Sequence, residues 1–304
     1  MEYVLETEAL SKRYKHFTAL NGLSMHIPKG AIYGFVGRNG AGKTTLIRLI
    51  CGLQSPTDGG YTLYGIKNTD PKIVRTRKRM GAVVESPSIY PEMTAKENIR
   101  QQFALLGAEP KGGAEELLRL VGLDNTGSKK ARNFSLGMRQ RLGIAVALAG
   151  DPDFLVLDEP VNGLDPQGII EMRELILRLN RERGITVLIS SHILDELSRL
   201  ATHYGFIDSG RMITEMSAAE LEQRCRKCVR AEVSDTKALA RVLDKIGVEY
   251  SIIDGRNADI YGEIQVTKLV EMLMNENCTV EKLKEHDESL ESFYMKLVGG
   301  ERNA

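Results

Sequence analysis

The chain has 304 residues, long enough to bury a sizeable core in one large domain or two of ordinary size. Its 42% hydrophobic and 27% charged content is that of a globular protein, and 41 Lys and Arg balance 41 Asp and Glu, which argues against a general nucleic-acid binder. Cys51, Cys225, Cys228 and Cys278 make no disulfide framework in a chain this long, so a reducing compartment is expected.

The opening MEYVLETEALSK is acidic and lacks an apolar core, so no secretory signal is expected there. From Tyr3 to Ile32 short β-like pieces alternate, with turns expected at Asn21-Gly22 and Pro28-Lys29-Gly30. IYGFVG (32–37) reads as a buried strand that runs into GRNGAGKTT and a helix, TTLIRLICGL. MGAVVES (80–86), a second extended stretch, follows the basic run RTRKR. TAKENIRQQFALLG, AEELLRLVGL and SLGMRQRLGIAVALAG then predict an all-helical insertion over about 88–150.

Strand character returns with DFLVLDEP (153–160), followed by a helix over about 167–182 and the strand ITVLISS (185–191). GFIDSGRMI (205–213) predicts a hairpin turning at Asp208-Ser209-Gly210. No apolar run approaches the ~20 residues that span a bilayer; GIAVALAG and ITVLIS are far shorter. A cytoplasmic chain is expected, with any membrane crossing provided by another chain. Strands alternating with helices imply an α/β domain, its sheet mostly parallel and covered on both faces.

The domain boundary is expected within MSAAELEQRCRK (216–227), separating residues 1–215 from a small α+β domain over 216–304. There Leu239, Val242, Leu243 and Ile246, then Val266, Leu269, Val270 and Leu273, then Leu290, Phe293, Tyr294 and Leu297 recur at helical spacing. Strands are expected near 229–233, 249–254 and 258–262. The Cys225–Cys228 spacing is that of a metal or redox pair, but no second pair completes it, so it reads as coincidence.

Three clusters carry chemistry. Gly37-Arg38-Asn39-Gly40-Ala41-Gly42-Lys43-Thr44 matches G-x-x-x-x-G-K-[ST], with a strand before and a helix after. Its glycines let backbone N–H groups close round phosphates, and the helix N-terminus adds its positive end. Lys43 would bring charge to the β- and γ-phosphates and Thr44 a hydroxyl to Mg²⁺. Phe154-Leu155-Val156-Leu157 buries a strand whose C-terminal end presents Asp158 and Glu159, the first suited to Mg²⁺ and the second to act as general base on water. His192 ends the third buried strand, where an imidazole is either a rim residue or a hydrogen-bond donor to the γ-phosphate.

In this order the pieces resemble the ATP-binding subunit of ABC transporters. FSLGMRQR (134–141) occupies the place of that family's LSGGQ signature; Ser135 and Gly137 match, while Leu136 and Met138 depart from it. The resemblance implies a P-loop ABC ATPase domain, mostly parallel sheet with an antiparallel β subdomain and a helical insertion. It further implies ATP contacts at Tyr14 and from Gly37 to Thr45, with Tyr14 on the adenine. Two subunits would pack head to tail, the Ser135–Met138 segment of one closing on the ATP of the other, and Gly163-Leu164-Asp165 crossing between them.

Glu85 in VVESPSIY stands where the family normally has Gln, is expected at the Mg²⁺ site with Thr44 and Asp158, and looks like the bacitracin and lantibiotic export or self-protection branch. A carboxylate beside phosphates requires the Mg²⁺ or another cation to offset it. The expected partners are a second ATP-binding subunit, as a homodimer, and an integral-membrane permease that holds the chain at the inner face of the membrane; no nucleic acid is expected. The alternatives are another drug, lipid or nutrient transporter, or an ABC ATPase acting on nucleic acid or ribosomes. One phosphate loop, no sustained heptads and no net positive charge speak against the last.

Overall fold

The computed structural model describes residues 2–107, 112–225, 228–262, 264–286, 293–295 and 297. They divide into two compact units, up to Ala218 and from Ala219.

The first unit opens with two long strands, β1 (Tyr3–Tyr14) and β2 (Phe17–Pro28), joined by a two-residue turn. The turn expected at Asn21-Gly22 is not a chain reversal. Both residues lie inside β2, where Leu10 pairs with Leu23 and Lys12 with Leu20, so Ser11 faces two residues instead of one. This is a β-bulge: Gly22 takes φ +67, and its N–H donates to Ser11 Oγ at 2.9 Å. The Asn21 N–H donates to Gly210 O in the later hairpin, so the bulge ties two parts of the unit together.

β3 (Ile32–Val36) is buried at every position and leads into α1 (Lys43–Ile50). β4 (Asp58–Leu63) and β5 (Ile66–Lys67) complete an antiparallel sheet of order β2-β1-β4-β5. The short α2 (Ile73–Thr76) precedes β6 (Met80–Val83). The helical insertion contributes α3 (Ala95–Leu106), α4 (Gly113–Leu120) and α5 (Leu136–Ala147). Thr94 and Glu97 form a capping box on α3, satisfying two N-terminal donors reciprocally. Then come β7 (Phe154–Asp158), α6 (Pro166–Arg183), β8 (Thr186–Ser191), α7 (Leu194–Ser198), β9 (His203–Asp208) and β10 (Arg211–Ser217).

The second sheet runs β10-β9-β3-β8-β7-β6, parallel except for β10. β10 returns through the expected hairpin, where Ser209 (φ +48) and Gly210 (φ +77) supply the two left-handed residues of a tight turn. α1 contacts both β2 and β7, so its side chains Leu46, Ile47, Leu49 and Ile50, none with exposed surface, fill the core between the two sheets. Each contributes roughly 1.5–3 kcal/mol by transfer from water. That packing holds the start of α1 fixed at the sheet edge.

One contact is tight enough to test. Tyr33 on β3 is buried, and its hydroxyl donates to Glu215 Oε1 at 2.6 Å while His26 Nδ1 meets Glu215 Oε2 at 2.9 Å. Burial, then the charge and hydrogen bond of Glu215, hold the Tyr33 phenol well above its ordinary pKa, so it remains a donor. A Cβ at Gly205 would lie 2.2 Å from the Tyr33 hydroxyl oxygen. Gly205→Ala is therefore expected to cost about 1–3 kcal/mol. Thermal unfolding checks it; an unchanged midpoint would show that Tyr33 can swing aside freely.

α8 (Ala218–Arg224) spans the division between units. The second unit runs β11 (Cys228–Val233), α9 (Thr236–Ile246), β12 (Glu249–Ile252), β13 (Asn257–Tyr261), α10 (Val266–Asn275) and β14 (Val280–His286). Its sheet order β12-β13-β11-β14, all antiparallel, makes a ferredoxin-like βαββαβ unit. Leu239, Val242, Leu243, Leu269 and Leu273 form its core, as their spacing predicts, whereas Val266 is 47% exposed. β12 ends at Ile252, short of the expected 254, because Asp254 Oδ1 accepts the Arg256 and Asn257 N–H groups and turns the chain.

β14 is an element that sequence patterning misses. VEKLKEH has only two apolar residues, and its lysines suit an edge strand paired on one side to β11. Of the last expected stripe, Phe293 and Tyr294 are buried and Leu297 is half-buried, while Leu290 lies outside the described residues. Cys225 and Cys228 form no disulfide, and no cluster able to hold a metal through three His, Cys, Asp or Glu occurs among the described residues.

Candidate functional site

β3, β8 and β7 are neighbours and parallel, with Val36 beside Ser191 and Asp158 beside Ser190. In-register parallel strands end on one edge, where such sheets bind ligands. The phosphate loop leaves β3, Asp158 and Glu159 end β7, and His192 follows β8, so three segments distant in sequence converge. Gly37 N–H donates to Ser191 O at 3.4 Å, which fastens the loop to β8.

The loop's glycines have distinct jobs. Gly40 and Gly42 adopt φ +82 and +113, open to glycine with little strain. A Cβ at Gly37 would sit 2.6 Å from Ile207 Cγ2, and one at Gly42 2.6 Å from Ala19 O. Close backbone approach therefore demands glycine at both. α1 begins at Lys43, so its free N–H groups face the loop.

Lys43 is 5% exposed. Its ammonium donates to Gly37 O at 2.6 Å and Arg38 O at 3.2 Å, and lies 3.2 Å from Glu159 Oε1. The other Glu159 oxygen meets His192 Nδ1 at 2.8 Å. Glu159 itself sits at φ +50, a left-handed conformation that costs a non-glycine residue of order 1 kcal/mol or more. Ser190 holds it there, since the Glu159 N–H donates to Ser190 O at 3.2 Å and Ser190 Oγ at 3.0 Å.

Ser190 Oγ also donates to Asp158 Oδ1 at 2.5 Å. Asp158 is 3% exposed, yet its Oδ2 has no hydrogen-bond partner. A buried carboxylate oxygen without a partner is costly, and a cation would satisfy it. Thr44, Glu85, Asp158 and Glu159 line one cleft of about 490 Å³, which Leu136 and Arg139 of α5 close on the other side.

Glu85 follows β6, and its carboxylate pairs with the Arg48 guanidinium of α1. It occupies φ +60, and the Ser86 N–H donates to Val84 O at 2.7 Å, closing a three-residue γ-turn around it. Two residues on, Pro87 packs so closely on α5 that a Cβ at Gly143 would come within 2.6 Å of it. The Glu85 segment is thus clamped between α1 and α5.

Ser135 caps α5 by accepting the Met138 N–H at 3.2 Å. Leu136 lies against Gly163, and Gly137 against Leu164, where Cβ atoms would stand 3.2 and 3.7 Å from the leucine methyls. Asp165 caps α6 through Gly168 N–H at 2.9 Å. The structure therefore joins these two expected interface segments within one chain. Tyr14 lies farther along β1; its hydroxyl donates to Gln54 at 2.6 Å, the Lys12 ammonium stands 5.4 Å from its ring centroid, and 41% of the residue is exposed.

Sequence reasoning missed Arg48 and Ser190. Arg48 could have been found as the residue one helical turn after Thr44, on the same face of α1. Ser190 shows as a hydroxyl inside an apolar strand, fully buried beside Asp158. Near the same core Cys51 is inert: burial pushes its thiol up to about 12, with Arg77 opposing and Asp158 reinforcing the rise. Chemically the site offers backbone donors and an ammonium for an anion, an unpaired carboxylate oxygen for a hard cation, and a braced carboxylate beside both.

The profile of a family described as ABC transporter matches residues 20–162. The bacitracin transport ATP-binding protein BcrA of Enterococcus faecalis is 39% identical over 303 residues, covering 99% of this chain and 98% of that protein. The lantibiotic transport ATP-binding protein SrtF of Streptococcus pyogenes is 42% identical over 212 residues, 70% of this chain and 90% of that one. A bacterial ABC transporter cassette solved in dimeric form overlays with a TM-score of 0.63 at 26% identity, covering 70% of this chain and 98% of that one.

Proposed function

This chain belongs to the ABC transporter family as an ATP-binding, ATP-hydrolysing subunit, and from that premise we propose that it powers export of, or protection against, bacitracin-type peptides. The observation that carries the cargo is the match to BcrA across 99% of the chain, the second unit included; Glu85 in the cleft supports the same branch. No helix among the described residues is long and apolar enough to cross a membrane; this reading assigns movement of the peptide to a separate permease. In this reading residues 1–215 are the ATPase domain and 216–304 an accessory domain, with the ATPase at the inner face of the membrane.

Lys43 reaches the phosphates from inside the loop, with Gly40, Ala41, Gly42 and Thr45 supplying backbone donors around them. Thr44 and Asp158 would hold Mg²⁺, Glu85 standing on the same cleft, and the unpartnered Asp158 Oδ2 fits a hard cation that takes oxygen ligands. When bound, that ion neutralises phosphate charge and helps orient the terminal phosphoryl group. Glu159 accepts the proton of the attacking water as the water oxygen bonds the γ-phosphorus and the bond to the ADP oxygen breaks. His192, through Nδ1, keeps the carboxylate aimed. Tyr14 would cover the adenine with the ring face that Lys12 leaves open.

Two copies complete the cycle, the Ser135–Met138 segment and Gly163–Asp165 of one meeting the ATP of the other; the dimeric form of the similar cassette supports this. Ser135→Ala removes the α5 cap, costing about 1 kcal/mol. In the paired enzyme it should also lower turnover by about a hundredfold to a thousandfold, as loss of a transition-state donor does. Ser135→Thr keeps the cap. Loss of stability with full turnover in the alanine variant would reduce Ser135 to a helix cap.

The cargo is tested by expressing the chain with its cognate permease in a bacitracin-sensitive host. Raised survival that disappears with Lys43→Ala supports the assignment. Unchanged bacitracin susceptibility, with transport of a lipid or unrelated drug instead, would overturn it.

A further inference from the structure

We propose that Arg48 is a positioning residue of the ATP site: it neutralises Glu85 so that a triphosphate can enter a cleft lined by three carboxylates. The inference rests on the ATPase reading and goes beyond it to a residue outside the phosphate loop. Glu85, Asp158 and Glu159 all line the cleft that Thr44 enters from α1. Three negative charges would repel the ligand that the loop is built to hold. Each carboxylate, however, has its own arrangement. Glu159 is met by Lys43 and His192, Glu85 by Arg48, and Asp158 is held at one oxygen by Ser190 with the other unpaired. Two cations thus pair directly with two acids, and Asp158 is the one of the three carboxylates with no cation in contact, at the position suited to a divalent ion; Arg139, which also lines the cleft, donates to Phe134 O instead.

The Arg48–Glu85 pair has little structural reason to exist. Its side chains are 36% and 55% exposed, and ion pairs that open to water contribute little to stability. The backbone nonetheless places Glu85 in a γ-turn at φ +60, with Pro87 packed against α5, so the root of its side chain stays at the cleft when its partner is lost. The charge has to be cancelled in place. Arg48 does so from α1, the same helix whose first turn carries Lys43 and Thr44, so the counter-ion is rigidly tied to the phosphate loop.

The test uses the full chain with Arg48→Met, Arg48→Lys and the double variant Arg48→Met with Glu85→Gln. ATP affinity is measured by calorimetry with Mg²⁺ and with chelator, and melting is followed without nucleotide. Arg48→Met should weaken metal-free ATP binding by about tenfold, the bare Glu85 charge being partly screened by its exposure, and weaken it less when Mg²⁺ is present. Arg48→Lys should recover part of the loss. The double variant should return to within about threefold of the parent, since no charge is left to cancel, with melting moved by about 2 °C or less throughout. ATP affinity in Arg48→Met equal to the parent, or a double variant as weak as the single one, would overturn the proposal. Failure of the ATPase reading would look different: Lys43→Ala would then bind ATP as the parent does.

Discussion

Glu159→Gln is expected to lower ATP hydrolysis by about a thousandfold while ATP stays bound. The substitution keeps the shape of the side chain and the left-handed backbone at φ +50, which Ser190 braces through the amide rather than the carboxyl. The amide oxygen can still accept from Lys43, so the phosphate loop keeps its geometry. What disappears is the group able to take a proton from water. Phosphate release measured beside equilibrium nucleotide binding separates the two effects. Turnover within about tenfold of the parent would remove Glu159 from the role of general base.

Lys43→Ala is expected to act on the other side of the same site, weakening ATP binding by about a hundredfold or more. Lys43 is 5% exposed, so its charge is poorly screened and acts strongly on a bound phosphate. Its removal also strips Glu159 of its cation, adding an uncompensated carboxylate where the triphosphate arrives. Lys43→Arg should not restore affinity. The ammonium fits between the Gly37 and Arg38 carbonyls, with Gly37 pressed against Ile207, and a planar guanidinium needs a wider space. Binding in the alanine variant indistinguishable from the parent would mean that the loop holds something other than this nucleotide.

Together the two variants dissect one salt-bridged pair into a binding half and a chemical half. They also bear on Arg48, because both Lys43 and Arg48 act by cancelling acids that crowd the cleft. A triphosphate site carrying an extra carboxylate at Glu85 calls for an extra cation, and the fold supplies it on the helix that already anchors the phosphates.

Elements whose local chemistry is strong were legible in the chain itself. The phosphate loop needs glycines at fixed spacing because backbone donors must approach an anion, and that need is written in consecutive residues. Buried parallel strands need unbroken apolar runs, so IYGFV, FLVLD and TVLISS declared themselves, and with them the carboxylates at the end of β7. The family followed from the order of these pieces.

What only the tertiary structure decided is which distant groups meet. Gly22 sits in a bulge instead of a turn because β1 offers it a partner, a fact that lies in the other strand. β14 is a strand because β11 has an edge to fill, although its own residues carry no alternating pattern. Arg48 and Glu85, 37 residues apart, become one ion pair, and Ser190 becomes the brace of both Asp158 and Glu159. Local sequence sets what each segment can do through short-range sterics and patterning. Pairing across the sheet edge sets which charges cancel, because electrostatic partners are chosen by distance in space.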